Sequence, residues 1–342
     1  AEDSFAELGG HSLAATQVVA RLRHALGAEV PLGLVLGGGT VAETARALEE
    51  ALEGAAPGLP PLVRVPRDGD LALSLAQEQV WFLMQLVPGN LSYHAHAALT
   101  FRGELDVSAL EAALSSIVER HEIFRTTFHA AAGGPVQRIH EPWAVRLPRV
   151  DLSGLPETER DEAAAAWMRA DFRRTFDLTR LPLVRWSLLR ISDREHRLVH
   201  VEHHFLHDGW SFGVFLRELL ALYAAHLRGE PSPLPELPVQ FADFAVWHRE
   251  VMQGERARAE LEYWKDKLAG ADPAIELPTD RPRPPVLRFR GGGIRTRIPP
   301  RIVLAARAFT RRSGATLYMA LLAAYGGRLH RYSGLEDFCV GG

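Results

Sequence analysis

Between Gly54 and Asp70 the chain runs through Pro57, Gly58, Pro60, Pro61, Pro66 and Gly69. Proline fixes φ and lacks an N–H, glycine leaves φ nearly free, and a stretch built from both sustains neither a helix nor a strand ladder. Whatever this chain folds into has to be assembled separately on the two sides of that break, which reads as an interdomain linker. On the N-terminal side Leu13, Val18, Val19 and Leu22 recur at helical spacing, behind Ser12 as a suitable N-cap and ahead of Gly27. A second helix is expected over residues 41–52, so the first unit is small and all-helical.

Beyond the linker the pattern becomes mixed. Ala97, Leu99 and Phe101 alternate as in a strand, whereas Val107, Leu110, Leu114, Ile117, Val118 and His121 share one helical face. Residues 184–191 and 197–203 are expected to form a hairpin across the turn-prone Ser192-Asp193-Arg194-Glu195. A helix follows, marked by Phe212, Phe215, Leu216, Leu219, Leu222 and Tyr223, with Ser211 as its cap and Gly229 as its stop. Proline-rich breaks at 229–238 and 273–285 flank helices over 241–251 and 261–268. Helices over 304–312 and 317–331 and a strand over 337–340 then begin a second lobe, and the chain reads as cut at both ends.

With 342 residues, 47% of them hydrophobic and 24% charged, the chain can bury a sizeable core in two or three units. Its net charge of -3 and the lack of a basic block make nucleic acid and anionic membranes poor electrostatic partners. Cys339 is the single cysteine, which excludes an internal disulfide, and no apolar run approaches the ~20 residues of a membrane span. A soluble, reducing, cytoplasmic setting is expected.

Chemistry concentrates in Glu202-His203-His204-Phe205-Leu206-His207-Asp208-Gly209, which joins the second hairpin strand to the following helix. His203, His204, His207 and Asp208, four side chains in six residues, raise a metal-site reading, but strand neighbours point to opposite faces, so His203 and His204 do not readily share an ion, and no His-Glu-x-x-His exists. No metal is expected. An imidazole, with an ordinary pKa near ~6.5, exchanges protons at neutral pH, Asp208 can fix the surroundings, and Gly209 lets backbone approach a substrate. Packed, hydrogen-bonded histidines at a strand end are the bland alternative.

A second motif, Leu8-Gly9-Gly10-His11-Ser12-Leu13, lies in the helical unit. Ser12 can cap its helix, but a helix N-terminus also favours an anion, and Gly9 and Gly10 leave the approach open to a phosphodiester. A nucleophile elbow would need a strand immediately before the serine, and residues 3–8 are too short and acidic for one.

Asp3-Ser4-Phe5-Ala6-Glu7-Leu8-Gly9-Gly10-His11-Ser12-Leu13 resembles the core motif of peptidyl carrier proteins of nonribosomal peptide synthetases. The resemblance implies covalent 4'-phosphopantetheine on Ser12, a docking face that includes Leu13, and a first helix that precedes Ala1. In that family the Gly-Gly-His-Ser form usually stands before an ordinary condensation domain, which implies an unepimerised donor.

The His-His run is similar to the H-H-x-x-x-D-G signature of condensation domains and chloramphenicol acetyltransferase-like acyltransferases. The segments 74–83, 120–128 and 241–248 look like the first, second and fourth condensation motifs, with His248 where glutamine is more usual. The resemblance implies a carrier over residues 1–53, a linker over 54–69, the first lobe of a two-lobed α/β condensation domain over 70–230, and its connector and unfinished second lobe over 231–342. It further implies amide formation in which His204 orients or deprotonates the amine, Gly209 N–H helps hold the oxyanion, Asp208 is structural and His203 supports the loop. An arginine partner of Asp208 is expected past Gly342. The implied partners are an adenylation domain, a downstream carrier, a phosphopantetheinyl transferase, and aminoacyl and peptidyl thioesters. Epimerisation-type and noncatalytic recruiting domains share the scaffold, but His11 disfavours the first and the intact signature the second.

Overall fold

The computed structural model describes residues 5, 12–26, 30–36, 40–53, 59–271, 275–282 and 294–341. Gly9, Gly10 and His11 lie outside the described residues. The chain divides into two compact units, one formed by residues 1–60 and 259–342 and the other by 61–258.

In the first unit α1 (Ser12–Leu26), α2 (Leu32–Leu36) and α3 (Val41–Glu53) enclose a small core of Ala15, Val19, Val30, Val35 and Leu48. Helix α1 begins at Ser12, where the sequence placed its start. Its first turn carries no acidic side chain. The short α2 escapes the periodicity because five residues are too few to show a face.

The second unit is built from β1 (Leu71–Ala72), α4 (Leu75–Leu86), β2 (His94–Arg102), α5 (Val107–Arg120), β3 (Thr126–Ala131), β4 (Gly134–Ile139), β5 (Arg149–Asp151), α6 (Glu157–Phe172), β6 (Val184–Ser192), β7 (Glu195–His203), α7 (Gly209–Arg228) and α8 (Phe241–Val251). Its main sheet runs β2-β7-β6-β5, antiparallel except for the β5–β6 pair, and a smaller sheet runs β1-β4-β3. Both faces of the main sheet are covered. Trp186, Leu188 and Leu198 join α5 and α7 through Leu114, Ile117, Phe215 and Leu219, while Leu189, Ile191, Val199 and Val201 pack with Ala164, Trp167 and Met168 of α6. Residues 198–203 of β7 are therefore buried without alternation, as a strand sandwiched between helices requires.

The motif segments outside the His-His run act as joints of this unit. Ser74 and Gln77 form a capping box at α4, Gln77 N–H donating to Ser74 Oγ at 3.2 Å and Ser74 N–H to Gln77 Oε1 at 3.0 Å. Arg120 and His121 both reach Glu218 of α7, at 3.2 and 2.6 Å. Arg67 bridges Glu122 at 2.9 Å and the fully buried Asp243 at 2.7 Å.

Further along lie α9 (Glu255–Lys267), α10 (Pro300–Ser313) and α11 (Leu317–Ser333). Residues 337–340 form no strand, because a strand needs a neighbour to take its N–H and C=O groups and none of the described residues pairs with this segment.

Candidate active site

The hairpin and the helix that follows it set the position of every motif side chain. β6 and β7 pair in antiparallel register with Trp186 opposite His200 and Val184 opposite Glu202, and on the other side β2 sets Ala97 opposite His200 and Ala95 opposite Glu202. Directly opposed residues share a face, so two methyl side chains stand beside His200 and Glu202. The space left there is a cleft of about 250 Å³, lined by Ala95, His96, Ala97, His200, Glu202, His204, His207, Asp208, Gly209 and Phe212. A larger cavity of about 610 Å³, around Trp143, Phe176 and Arg180, contains none of the motif residues.

The two adjacent histidines separate as strand parity requires. His203 is fully buried on the α6 side, in edge contact with His94 at 5.9 Å and Phe176 at 6.3 Å. Its Nδ1 accepts from Phe205 N–H at 3.3 Å, its own N–H donates to Leu183 O at 3.0 Å, and its carbonyl accepts from Leu206 N–H at 3.0 Å. These bonds turn the chain out of β7. His204 instead presents an exposed side chain to the cleft, while its backbone N–H donates to Tyr93 O at 2.7 Å.

Asp208 is the N-cap of α7. Its Oδ1 accepts from Ser211 N–H at 2.9 Å and from Ser211 Oγ–H at 2.7 Å, and these bonds hold its carboxyl below the usual range. Ser211 is thus the capped residue, not the cap: a cap side chain reaches the N–H three positions on, and Asp208 occupies that place. Removing it as Asp208→Ala is expected to destabilise the fold by about 1 kcal/mol, read as a lower urea midpoint. Loss of turnover in a fully stable variant would instead assign Asp208 direct chemistry.

Gly209 opens α7 with an ordinary backbone, and a Cβ built there meets nothing within 4 Å. Neither strain nor crowding within the chain calls for glycine at this position. Gly229 ends α7 in the left-handed conformation, φ 66°, the stop its sequence position indicates.

The sequence pointed to neither His200 nor Trp186, and it left Glu202 and His207 as members of the His-His run without a role. Glu202 is fully buried with His200 Nε2 3.0 Å from its Oε2 and His207 Nδ1 in close contact with its Oε1. Trp186 Nε1–H donates to His200 Nδ1 at 2.7 Å. The available signal was the spacing His200-x-Glu202-x-His204, which a period of two sends to one face.

Desolvation separates these groups in pKa. Burial pushes His200 and His203 down to about 3 and Glu202 up to about 8. The histidines take up protons on unfolding below their ordinary 6.5, so the stability they preserve is complete above that pH and falls as the pH drops towards 3. Neutral Glu202 contributes stability that is complete below 4.5 and is lost as the pH rises to about 8. Below 6.5 the lowered histidines, His94 and His207 with His200 and His203, outweigh Glu202, and above it the Glu202 effect remains, so stability is expected to peak near pH 6.5. Urea midpoints across the pH range test this. Glu202→Gln should remove the alkaline decline and keep the acid one.

The sheet layering and the carrier-like helices agree with comparison to known proteins. The condensation-domain family model matches residues 67–342, and the phosphopantetheine attachment site model matches residues 1–48. The chain belongs to the condensation-domain family and bears a phosphopantetheine attachment domain ahead of it, the pairing found in nonribosomal peptide synthetases. It is 43% identical over 340 residues to one of the linear gramicidin synthase proteins of Brevibacillus parabrevis, covering 99% of this chain and 4% of that one. With phosphinothricin tripeptide synthetase PhsC of Streptomyces viridochromogenes it shares 40% identity over 289 residues, 84% of this chain and 27% of that one. The X-domain solved in complex with OxyB from teicoplanin biosynthesis superposes with a TM-score of 0.72 at 34% identity, covering 81% of this chain and 60% of that chain. The chain therefore spans a small part of the curated relatives it matches.

The attachment domain takes 4'-phosphopantetheine covalently. The residues present fit that group: a serine opens α1, whose first turn has no carboxylate to oppose a phosphodiester.

Proposed function

We propose that the condensation unit forms an amide bond between a donor acyl or peptidyl thioester, carried on Ser12, and the α-amine of an aminoacyl thioester brought by a downstream carrier. The observation that carries this reading is His204, whose exposed side chain lines the cleft beside the first residue of α7. Phosphopantetheine, when attached, supplies the thiol that presents the acyl group as a thioester. An α-amine with a pKa of ~7.7 to 8.0 is already partly unprotonated near neutrality, so the demand on a base is modest and orientation can contribute up to ~7 to 11 kcal/mol. His204 orients the amine and accepts its hydrogen bond. Gly209 N–H, at the N-terminus of α7, helps hold the oxygen that gains charge, and the missing side chain leaves the substrate room to approach. Asp208 holds that helix end in place, and His203 holds the turn from which His204 projects.

The division into carrier (1–53), linker (54–69), first lobe (70–230) and connector with second lobe (231–342) belongs to this reading. So do an adenylation domain and a phosphopantetheinyl transferase as partners and a cytoplasmic setting. No helix among the described residues is long and apolar enough to cross a membrane.

The X-domain complex favours a second reading, recruitment of a partner protein without catalysis. Single-turnover mass spectrometry on the full-length protein separates the two: a loaded donor and an aminoacyl acceptor should yield transferred peptide. An epimerised, untransferred donor, or no reaction at all, would overturn the proposal.

A further inference from the structure

The floor of the cleft holds a set of groups outside the His-His signature residues to which the proposed function gives a role. Glu202 is fully buried, and among the described residues its ionisable neighbours at contact distance are two imidazoles, with no guanidinium or ammonium. The indole nitrogen of Trp186 can only donate, so His200 Nδ1 accepts and the proton of neutral His200 sits on Nε2, the nitrogen 3.0 Å from Glu202. The same bond decides against a metal. His200, Glu202 and His207 offer ligand atoms within 4.8 Å of one another, but a neutral ring protonated on Nε2 has no lone pair there for a cation, and its Nδ1 is taken. On the other oxygen of Glu202 sits His207 Nδ1. The ring of His207 stacks on Phe212 at 5.5 Å and lines the cleft, and Nε2 is its remaining nitrogen.

We propose that Glu202, held by His200, positions His207 as a second imidazole of the site, whose Nε2 exchanges a proton with the reacting groups beside His204. The proposal rests on the reading of the cleft as the amide-forming site. In that reaction the amine lone pair forms the C–N bond while the carbonyl π pair moves to oxygen. When that pair returns, the C–S bond breaks and its electrons leave on sulfur. One proton must leave nitrogen and one must reach sulfur, so an imidazole that takes the first and delivers the second ends unchanged. The groups that face His207 are Glu202 and His200 from β7 and His204 and Asp208 from the loop, with His96 of β2 in the same cleft. Burial keeps His207 below the ordinary imidazole range, against the pull of Glu202. Oε1 of Glu202 and Nδ1 of His207 touch without forming a hydrogen bond in this structure, and a small turn of either group makes one: a protonated Glu202 then donates its O–H to Nδ1, which leaves the proton of His207 on Nε2. Once Glu202 ionises, near pH 8, Nδ1–H donates to the carboxylate and Nε2 becomes the base.

Glu202→Gln is isosteric: its amide oxygen can accept from His200 and its NH2 can donate to His207 Nδ1, which locks the proton on Nε2 at every pH. Single-turnover amide formation by the full-length protein, followed from pH 6 to 9, should show a wild-type to Glu202→Gln rate ratio that climbs roughly tenfold or more through pH 8. The amine's own ionisation is common to both proteins and cancels in the ratio. His207→Ala should slow wild-type turnover by about 100-fold. Nitrogen-15 NMR of the side-chain imidazoles, assigned with His207→Ala, should show His207 changing tautomer near pH 8 in the wild type and not in Glu202→Gln. A constant ratio, or the same tautomer in both proteins at every pH, overturns the dyad. Zinc retained at one equivalent through chelation and lost in Glu202→Gln does so as well. A wild type that forms no amide refutes the proposed function, while the NMR still decides the dyad.

Discussion

His204→Ala is expected to slow amide formation by about 100- to 10,000-fold without unfolding the protein. The side chain is exposed at the end of β7, and truncating an exposed side chain usually changes stability by less than about 0.5 kcal/mol. Its backbone N–H is tied into the fold, to Tyr93 O at 2.7 Å, and alanine keeps that bond. Single-turnover rates isolate the chemical step from carrier exchange. The pH dependence of the defect then separates two roles. A residue needed to deprotonate the ammonium form before attack matters less once the amine has lost that proton, so the defect would shrink above pH ~8. A residue that orients the amine matters equally at every pH. The constant defect is the expected one, because the free amine is already abundant near neutrality. Turnover unaffected by His204→Ala would remove the residue from the mechanism.

The second large effect is complete: Ser12→Ala should accept no phosphopantetheine, seen as no gain in intact mass after incubation with coenzyme A and a phosphopantetheinyl transferase. Alanine has no oxygen to attack the phosphorus. It is the best helix former, so α1 should persist, with unchanged helical circular dichroism. Loading of the alanine variant would move the attachment point to another residue. Because the loss precedes every later step, amide formation from a donor on this carrier should vanish with it.

Much of the local structure was legible from residue order. The turn residues 192–195 separated β6 from β7, Gly229 ended α7, and helical spacing located α1, α5 and α8, because each signal lies within a few positions of its effect. What escaped was non-local or weakly patterned. β1 is two residues long and pairs with β4 through Leu71 opposite Gln137. α6 is alanine-rich with few apolar anchors. The strand anticipated over 337–340 had the right composition and no partner among the described residues to pair with.

The candidate site divides in the same way. Opposite faces for His203 and His204 follow from the covalent alternation of a strand, and a side chain that opens to substrate next to one that packs inward could be read without coordinates. The protonation of the site could not. Trp186 and His200 meet because β6 and β7 pair in one particular register, the room for a cleft comes from Ala95 and Ala97 on a third strand, and the bend after His203 brings His207 back onto Glu202. Side-chain direction is a property of the chain. A carboxyl raised to about 8 and a ring with its proton on a chosen nitrogen are properties of what surrounds them once water has been excluded, and only the tertiary structure decides that.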